Sequence, residues 1–393
     1  MKKILFVSPH LIAGGVERAL LNLINILPEE EYNIHLSLVH FNGKFLNQIP
    51  DKVILKYFPI TKEQAFILTC GGAKATMKYH LKKKRMIKAF KVFIKKIFGD
   101  VIAEYNGNFK KLPVAEEVYD VAVCYHMHMP FIVKYVAEKV TAGKKFIFIH
   151  NDFLTTGFKV QKLTTPLKQF DNYFCVGQDI YNEFTEIFPK WKAKTSVFYN
   201  VISTKKIHDT ANKGAGFLDE FSGTRILTIG RLNAQKGFFL AIDAAEKLLE
   251  KQINFRWYVL GEGELKEELL SLIKVKKLEK HFLLLGITDN PYGFMKQCDI
   301  YAQTSLHEAY CTTINEARIL HKPIVTTDVA GAAEMLDNGK LGIICQKDAT
   351  EIAESIKLLI QNKKLRLEFT ANLQMLNIDT ADKALEILAK AID

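Results

Sequence analysis

An α/β fold of two doubly wound halves is what this sequence predicts, and three observations predict it. Short, wholly apolar runs recur along the chain, as strands buried on both faces of a parallel sheet require. Helical stretches of about 10–20 residues separate most of them, as parallel crossovers demand. The series halts near the middle, at the polar and glycine-containing segment 203–224, and then begins again. At about 100–200 residues per domain, 393 residues also read as two domains.

The first half opens with a strand at 3–8 (Lys-Ile-Leu-Phe-Val-Ser), then Gly14-Gly15, then Val16, Leu20, Leu23 and Leu27 at helical steps. Strand, glycine turn and helix begin a nucleotide-binding type of α/β unit. The glycines do not fit Gly-x-Gly-x-x-Gly, which argues against a nicotinamide cofactor, yet they permit close backbone approach to a ligand. More strands are expected at 34–40, 53–57, 119–125, 145–149 and 172–176. Segment 203–224 reads as a linker. The second half follows with strands at 225–230, 255–260, 281–285, 299–303, 323–327 and 342–345, and helices at 237–251, 264–276 and 332–336. The expected domains are 1–203, 204–375 and a terminal stretch 376–393, whose amphipathic helix 382–392 packs back on the N-terminal domain. Two such halves would face each other across a cleft, with ligands at the carboxyl ends of the strands.

Composition narrows the setting. No apolar run reaches the ~20 residues of a membrane helix. The N-terminus has too short an apolar run for a signal peptide and reads as a strand. Six cysteines without a Cys-x-x-Cys pair, mostly in apolar runs, imply buried thiols in a reducing cytoplasm. The net charge of +11 fits nucleic acid, an anionic membrane or an acidic substrate, and its placement decides among them. Much of it lies at 74–98, a run of lysines with one arginine and no acidic residue. There Ile87, Phe90, Ile94 and Ile97 share one helical face. A basic amphipathic helix fits an anionic membrane surface. It equally fits a helix packed by its apolar face with its lysines in water. No nucleic-acid-binding module accompanies the charge, so nucleic acid is not expected.

The residues with chemistry sit at strand ends. Gly230-Arg231-Leu232-Asn-Ala-Gln-Lys236-Gly237 follows the first strand of the second half, so Arg231 and Lys236 would clamp a diphosphate, one as a planar fork and one as a point charge. Taken alone, they also read as two solvated loop cations. Gly261-Glu262-Gly263 and Gly286-Ile287 end later strands, where backbone approaches a base or ribose. Glu308 lies in the loop after strand 299–303 and Glu316 in the following helix, with Tyr310, Cys311 and Thr312 at the helix's first turn. Amides at a helix N-terminus hold phosphate, and carboxylates accept from sugar hydroxyls. His150 ends strand 145–149. His126-Met127-His128 resembles a metal pair but has no third ligand nearby, so no metal is expected; His128 and Gly14 remain candidates at the cleft. The chain has no P-loop, no Gly-x-Ser-x-Gly elbow and no zinc spacing.

Gly14-Gly15, Gly-Arg-Leu-x-x-x-Lys-Gly, Gly-Glu-Gly and Glu-x₇-Glu occur in order and spacing, as does Pro323-Ile-Val-Thr-Thr-Asp-Val-Ala-Gly331-Ala-Ala-Glu334. In this the chain resembles the family 4 retaining glycosyltransferases of the GT-B fold, which build bacterial capsule, lipopolysaccharide and teichoic-type glycans. The resemblance implies two Rossmann-like domains facing across a cleft and a sugar moved from a nucleotide sugar, UDP-sugar favoured, to a lipid-linked or cell-surface glycan. It implies that Arg231 and Lys236 neutralise the diphosphate, Glu316 binds ribose and Glu308 holds sugar hydroxyls. The amides of Tyr310, Cys311 and Thr312 would take the distal phosphate or the sugar. Gly15 would approach phosphate from the other domain, His150 would touch the sugar, and Gly230, Gly261 and Ile287 would line the donor. Ala309 and Cys311 stand where the family often has glycine. The resemblance implies no metal or other cofactor, and a place at the inner face of the cell membrane. An epimerase or phosphorylase of the same fold, and a non-catalytic partner subunit, are the alternatives. Turnover without acceptor would mark the epimerase. Indifference of glycan assembly to Glu308→Ala and Lys236→Ala would mark the partner subunit.

Overall fold

The computed structural model describes residues 1–393 except 13, 41–42, 59, 62–64, 66–72, 88–89, 91–108, 110–111, 154–157, 159, 215 and 309. The chain divides into two compact units. The first holds Met1–Cys175, Thr185–Phe198 and Lys383–Asp393; the second holds Val176–Phe184 and Tyr199–Asp382.

Unit 1 is built on strands β1 (Lys2–Ser8), β2 (Tyr32–Leu38), β3 (Val53–Tyr57), β4 (Val118–Cys124), β5 (Thr141–Ile149), β6 (Asn172–Cys175) and β7 (Thr195–Val197). Their order in the sheet is β3-β2-β1-β4-β5-β6-β7, and the pairs are parallel. Unit 2 has β8 (Thr224–Ile229), β9 (Phe255–Leu260), β10 (Phe282–Gly286), β11 (Ile300–Gln303), β12 (Ile324–Thr327) and β13 (Ile343–Cys345), in the order β10-β9-β8-β11-β12-β13. Both orders reverse direction once, between β1 and β4 and between β8 and β11. At that point the connections leave to opposite sides and a crevice opens at the carboxyl ends of the strands.

Alternation along the strands of unit 2 supplies two cores, one on each face. Ile226, Trp257 and Ile300 join Phe238, Leu248 and Ile356 in one. Their neighbours Leu227, Tyr258 and Tyr301 join Ile314, Ala317 and Met335 in the other. Each strand is therefore an apolar run rather than an alternating one, as covered parallel sheets require.

Three parts differ from the sequence expectation. Segment 203–224 is no linker throughout: Thr204–Asn212 is a helix, capped by the Ser203 side chain on the Lys206 amide and burying Ile207 and Ala211 one turn apart. Beyond it Asp219 accepts from Arg225 Nη2 (3.1 Å), Arg256 Nη1 (2.5 Å) and Tyr258 OH (2.5 Å), which ties the polar stretch to the sheet. Strand β7 has only three residues, too few for a periodic signal. Of the basic stretch 74–98, Ala73–Lys82 is helical, while Ile94 and Ile97 lie outside the described residues. The terminal helix Ala381–Ile392 joins unit 1 through Lys2–Asp393 (2.5 Å) and Lys144 Nζ to the Ala391 carbonyl (3.1 Å). Among the described residues no helix is long and apolar enough to cross a membrane, and the five described cysteines are buried and unpaired, with Cys70 outside the described residues.

Candidate functional site

In unit 2 the reversal between β8 and β11 is fixed from within. Thr228 on β8 donates its hydroxyl to the Ala302 carbonyl on β11 (2.6 Å) and receives the buried Trp257 indole from β9 (2.9 Å). The loops leaving β8 and β11 then lie side by side. The Leu306 amide donates to the Gln235 carbonyl (2.8 Å), the Gln235 side chain to the His307 carbonyl (3.0 Å) and the Thr304 hydroxyl to the Lys236 carbonyl (3.1 Å). Gly237, at φ +63°, makes this possible, since a Cβ there would collide with the Thr304 carbonyl oxygen.

These contacts bring Lys236 and Glu308, 72 residues apart, into one ion pair. Lys236 Nζ lies 2.5 Å from Glu308 Oε1, with side chains only 17% and 10% exposed. Burial lowers the affinity of the Lys236 ammonium for its proton and the Glu308 carboxylate raises it. The carboxylate prevails, so the lysine stays charged with a raised pKa. Ser305 Oγ donates to the same Oε1 at 2.6 Å. Arg231, exposed on the same loop, is near enough to oppose the Lys236 charge.

Helix Thr312–Ile319 starts beside this pair. The side chain of its cap residue Cys311 accepts no backbone amide of the first turn, and burial raises the Cys311 thiol. Tyr310 leads into the helix. Its ring packs 5.5 Å from that of Tyr199, whose hydroxyl bonds Glu334; the second Glu334 oxygen takes the Gln178 amide at 3.0 Å. Glu316, one turn into the helix, accepts from Tyr292 OH at 2.9 Å. Gly230, Gly261 and Gly286 form the adjoining edge: the Gly230 amide donates to Leu260 (3.0 Å) and the Gly261 amide to Gly286 (2.8 Å), while Ile287 is 50% exposed next to them. A Cβ at Gly261 would collide with the Gly230 carbonyl oxygen. The structure thus brings Arg231, Lys236, Glu308, Cys311 and Thr312 to one end of the unit 2 sheet, with Gly230, Gly261, Ile287, Tyr310 and Glu316 at the same carboxyl edge. Ala309 lies outside the described residues. Two cations and a helix N-terminus favour an anion, and the carboxylates favour hydroxyls.

Gly14, Gly15, His128 and His150 belong to unit 1, at the carboxyl edge of its own sheet. Gly14 caps helix Gly15–Ile26 and Gly15 is exposed. His150 is not an open rim residue: it is 6% exposed, packed 4.7 Å from the Tyr125 ring, and among the described residues neither ring nitrogen has a hydrogen-bond partner. Burial drops its pKa to about 3, so it is neutral at pH 7 and serves as a neutral donor or acceptor, not a cation. His128, also lowered by burial, to about 4, packs on Phe153 and Phe158. His126-Met-His128 follows β4 in a turn, so strand alternation does not apply to it.

Sequence reasoning missed His10, Glu17 and Ser305. His10 Nδ1 lies 3.2 Å from the Glu17 carboxylate, which is 5% exposed in the first turn of helix Gly15–Ile26, and His126 sits with its ring 6.3 Å from His10. The sequence offered no signal for this pair, since the burial of Glu17 follows from how the helix packs. Ser305 was missed as well, although it lies three residues before Glu308. Among the described residues no group of three or more His, Cys, Asp or Glu side chains is arranged to hold a metal.

Residues 222–374 match the family model of the glycosyl transferases group 1. Among characterised relatives, the chain is 32% identical over 191 residues to the N-acetylgalactosamine-N,N'-diacetylbacillosaminyl-diphospho-undecaprenol 4-alpha-N-acetylgalactosaminyltransferase of Campylobacter jejuni, a match covering 48% of this chain and 49% of that protein. The chain thus spans about half the length of that relative. Two solved structures align over almost the whole chain. Anabaena HepE, in complex with UDP and glucose, has a TM-score of 0.70 at 17% identity, covering 99% of this chain and 100% of its own. A trehalose-6-phosphate synthase, solved in a study of glycosyl transfer with retention, has a TM-score of 0.69 at 14% identity, covering 99% and 98%. At these identities the likeness concerns the fold, which is GT-B, two parallel-sheet Rossmann-like units. The match to the glycosyl transferases group 1 thus lies within residues 222–374, in a chain of GT-B fold.

Proposed function

We propose that this chain moves a sugar from a nucleoside diphosphate sugar, UDP-sugar favoured, to a hydroxyl of a lipid-linked or cell-surface glycan, with retention of configuration and without a metal ion. The observation that carries the reading is the Lys236–Glu308 pair at the β8/β11 reversal, with Arg231, the start of helix Thr312–Ile319 and Glu316 beside it. A diphosphate between the cations and the helix amides would place its ribose towards Glu316 and its sugar towards Glu308.

The chemistry follows from charge. The bond from the anomeric carbon to phosphate breaks, and the diphosphate leaves with the electron pair. The acceptor oxygen bonds the same face of the carbon, and its proton passes to the departing phosphate oxygen. Arg231, Lys236 and the helix amides stabilise the charge growing on the diphosphate, a role in which losing one donor costs about 10²–10³ in rate. Glu308 acts as a hydroxyl holder rather than a nucleophile. His150, in unit 1, is neutral at pH 7 and so carries a hydrogen-bonding group rather than a charge.

The UDP complex of HepE supports a uridine donor, the Campylobacter relative's name supports a lipid-linked acceptor, and the trehalose-6-phosphate synthase study supports retention. For the membrane, Leu81, Met86, Ile87 and Phe90 are exposed (44%, 67%, 75% and 62%) among the exposed Lys82, Lys83 and Lys84. Cations beside bare apolar side chains suit an anionic bilayer, at the inner face of the cell membrane.

The test is a thermal-shift screen with UDP-, GDP- and ADP-sugars, then turnover of the best binder with a lipid diphosphate-linked acceptor in the presence of EDTA, the product's anomeric configuration being read by NMR. Binding and transfer with retention are expected. A chain that binds none of these donors refutes the proposal, and turnover only without acceptor favours the epimerase. Flotation with anionic liposomes tests the membrane part by itself.

A further inference from the structure

Behind Glu308 runs a line of buried hydrogen bonds that the donor site does not itself require. Tyr301, Gln303 and Ser305 are alternate residues along β11 and its exit, so their side chains emerge on one face. Tyr301 OH donates to Gln303 Oε1 (2.7 Å), Gln303 Nε2 to Ser305 Oγ (2.7 Å), and Ser305 Oγ to Glu308 Oε1 (2.6 Å). Tyr301, Gln303 and Ser305 are at most 1% exposed. From the start of helix Thr312–Ile319, Thr313 Oγ1 donates to the same Gln303 Oε1 (3.3 Å), and the Cys311 thiol lies 3.2 Å from Thr313 Oγ1.

The proton directions follow from the end of the line. A carboxylate only accepts, so Ser305 gives Glu308 its one proton. The Ser305 oxygen must then accept, which turns the amide nitrogen of Gln303 towards it and the amide oxygen towards Tyr301 and Thr313. Lys236 Nζ and Ser305 Oγ both take Glu308 Oε1, so Oε2 remains for a ligand.

We propose that Gln303 is a positioning residue: its amide holds Ser305, and through it Glu308, so that Oε2 is presented to the donor sugar, and it ties that orientation to the first turn of helix Thr312–Ile319. This rests on the donor site proposed above. A neutral amide accepts at one end and donates at the other at every pH of interest. Leucine would take the Gln303 acceptor from the Tyr301 hydroxyl and the Gln303 donor from the Ser305 oxygen. A carboxylate would compete with Glu308 for the Ser305 proton, whereas a protonated carboxyl would reproduce the amide pattern.

The experiment compares wild type, Gln303→Leu, Gln303→Glu and Ser305→Ala for donor turnover, for UDP affinity by calorimetry and for the pH profile of kcat. Gln303→Leu and Ser305→Ala are expected to lose about 10- to 100-fold in kcat, the range found when a group that orients a metal-ligating side chain is removed, with UDP affinity unchanged. Gln303→Glu is expected to be slow at neutral pH and to recover as pH falls and the introduced carboxyl is protonated. Unchanged kcat in these variants overturns the inference, as does a parallel loss of UDP affinity and turnover, or a flat pH profile for Gln303→Glu. If the Gln303 variants do not fold, Ser305→Ala, which removes one oxygen, decides by the same two readouts. Wild-type protein that binds and turns over no nucleotide sugar sinks the proposed function and this inference with it.

Discussion

Replacing Lys236 by Met and Glu308 by Gln, singly and together, measures the contact on which the site is built. The charges lie 2.5 Å apart at closest approach, on side chains 17% and 10% exposed. Two unit charges about 4 Å apart attract by about 4 kcal/mol at an effective dielectric of about 20, before the cost of taking both out of water. Removing one member of a buried pair typically costs about 3–5 kcal/mol. Partial exposure, and the Ser305 bond that Glu308 keeps, reduce this to about 2–3 kcal/mol for each single variant. The double variant leaves neither charge stranded and should be about as stable as either single one, a coupling of about 2 kcal/mol. Of the two tryptophans, Trp257 is fully buried in unit 2 and Trp191 belongs to unit 1. In a Trp191→Phe background, urea unfolding followed by fluorescence therefore reports unit 2. Because the native pKa of Lys236 is raised above 10.5, its contribution is complete below that pH and is lost as pH climbs through the native value. The coupling should be constant through neutral pH and vanish only in strong alkali. Single-variant losses that add to the double-variant loss within about 0.5 kcal/mol would refute the reasoning.

Gly237→Ala forces a Cβ against the Thr304 carbonyl at φ +63°, and should move the same Trp257 transition by about 2–4 kcal/mol; an unmoved transition would mean that the two loops are not clasped there. Burial holds His126 and His150 at about 3 and His128 at about 4, below the ordinary 6.5. The unfolded chain therefore takes up protons first, and unit 1 should be fully stable above pH 6.5 and weaken towards pH 4 by at most about 1.4 kcal/mol per pH unit for each histidine, read by Trp191 in a Trp257→Phe background. Glu316→Ala should weaken UDP binding about tenfold or more, the worth of hydrogen bonds to a charged group, and Tyr292→Phe less, since it only removes the bond that steadies the carboxylate. Calorimetry reads both, and equal affinity for wild type and Glu316→Ala would remove the ribose role.

The sequence showed best what depends on continuous apolar runs. Twelve of the strands were placed within a few residues, because most lie inside a covered parallel sheet and are apolar on both faces. Helix Thr204–Asn212 escaped notice since its buried set is only Ile207 and Ala211, and its other positions are those of a loop. In the site, residue types with a charge were legible and their partners were not. Arg231, Lys236, Glu308 and Glu316 stand out from motif spacing, but spacing does not say that Lys236 meets Glu308 across 72 residues. That depends on β8 and β11 being neighbours, a fact of sheet order. His150 was visible as a strand end, and its neutrality was not, since that comes from the rings around it.

The Lys236–Glu308 pair raises the question of how one lysine can serve both a carboxylate and a phosphate. An ammonium carries three donors, and Glu308 uses one of them. Lys236 can therefore receive a phosphate oxygen without releasing Glu308, and the pair need not break for a donor to bind. The carboxylate in turn keeps the lysine from titrating, so the anion site is charged across the physiological range before any ligand arrives. Arg231, exposed and close to Lys236, supplies the more solvent-screened part of the attraction. Salt should then weaken UDP binding through Arg231 more than through Lys236. The salt slope of UDP affinity should fall in Arg231→Ala and remain close to wild type in Lys236→Met. The reverse order would mean that the enclosed pair, and not the exposed arginine, is where solvent ions compete with the nucleotide.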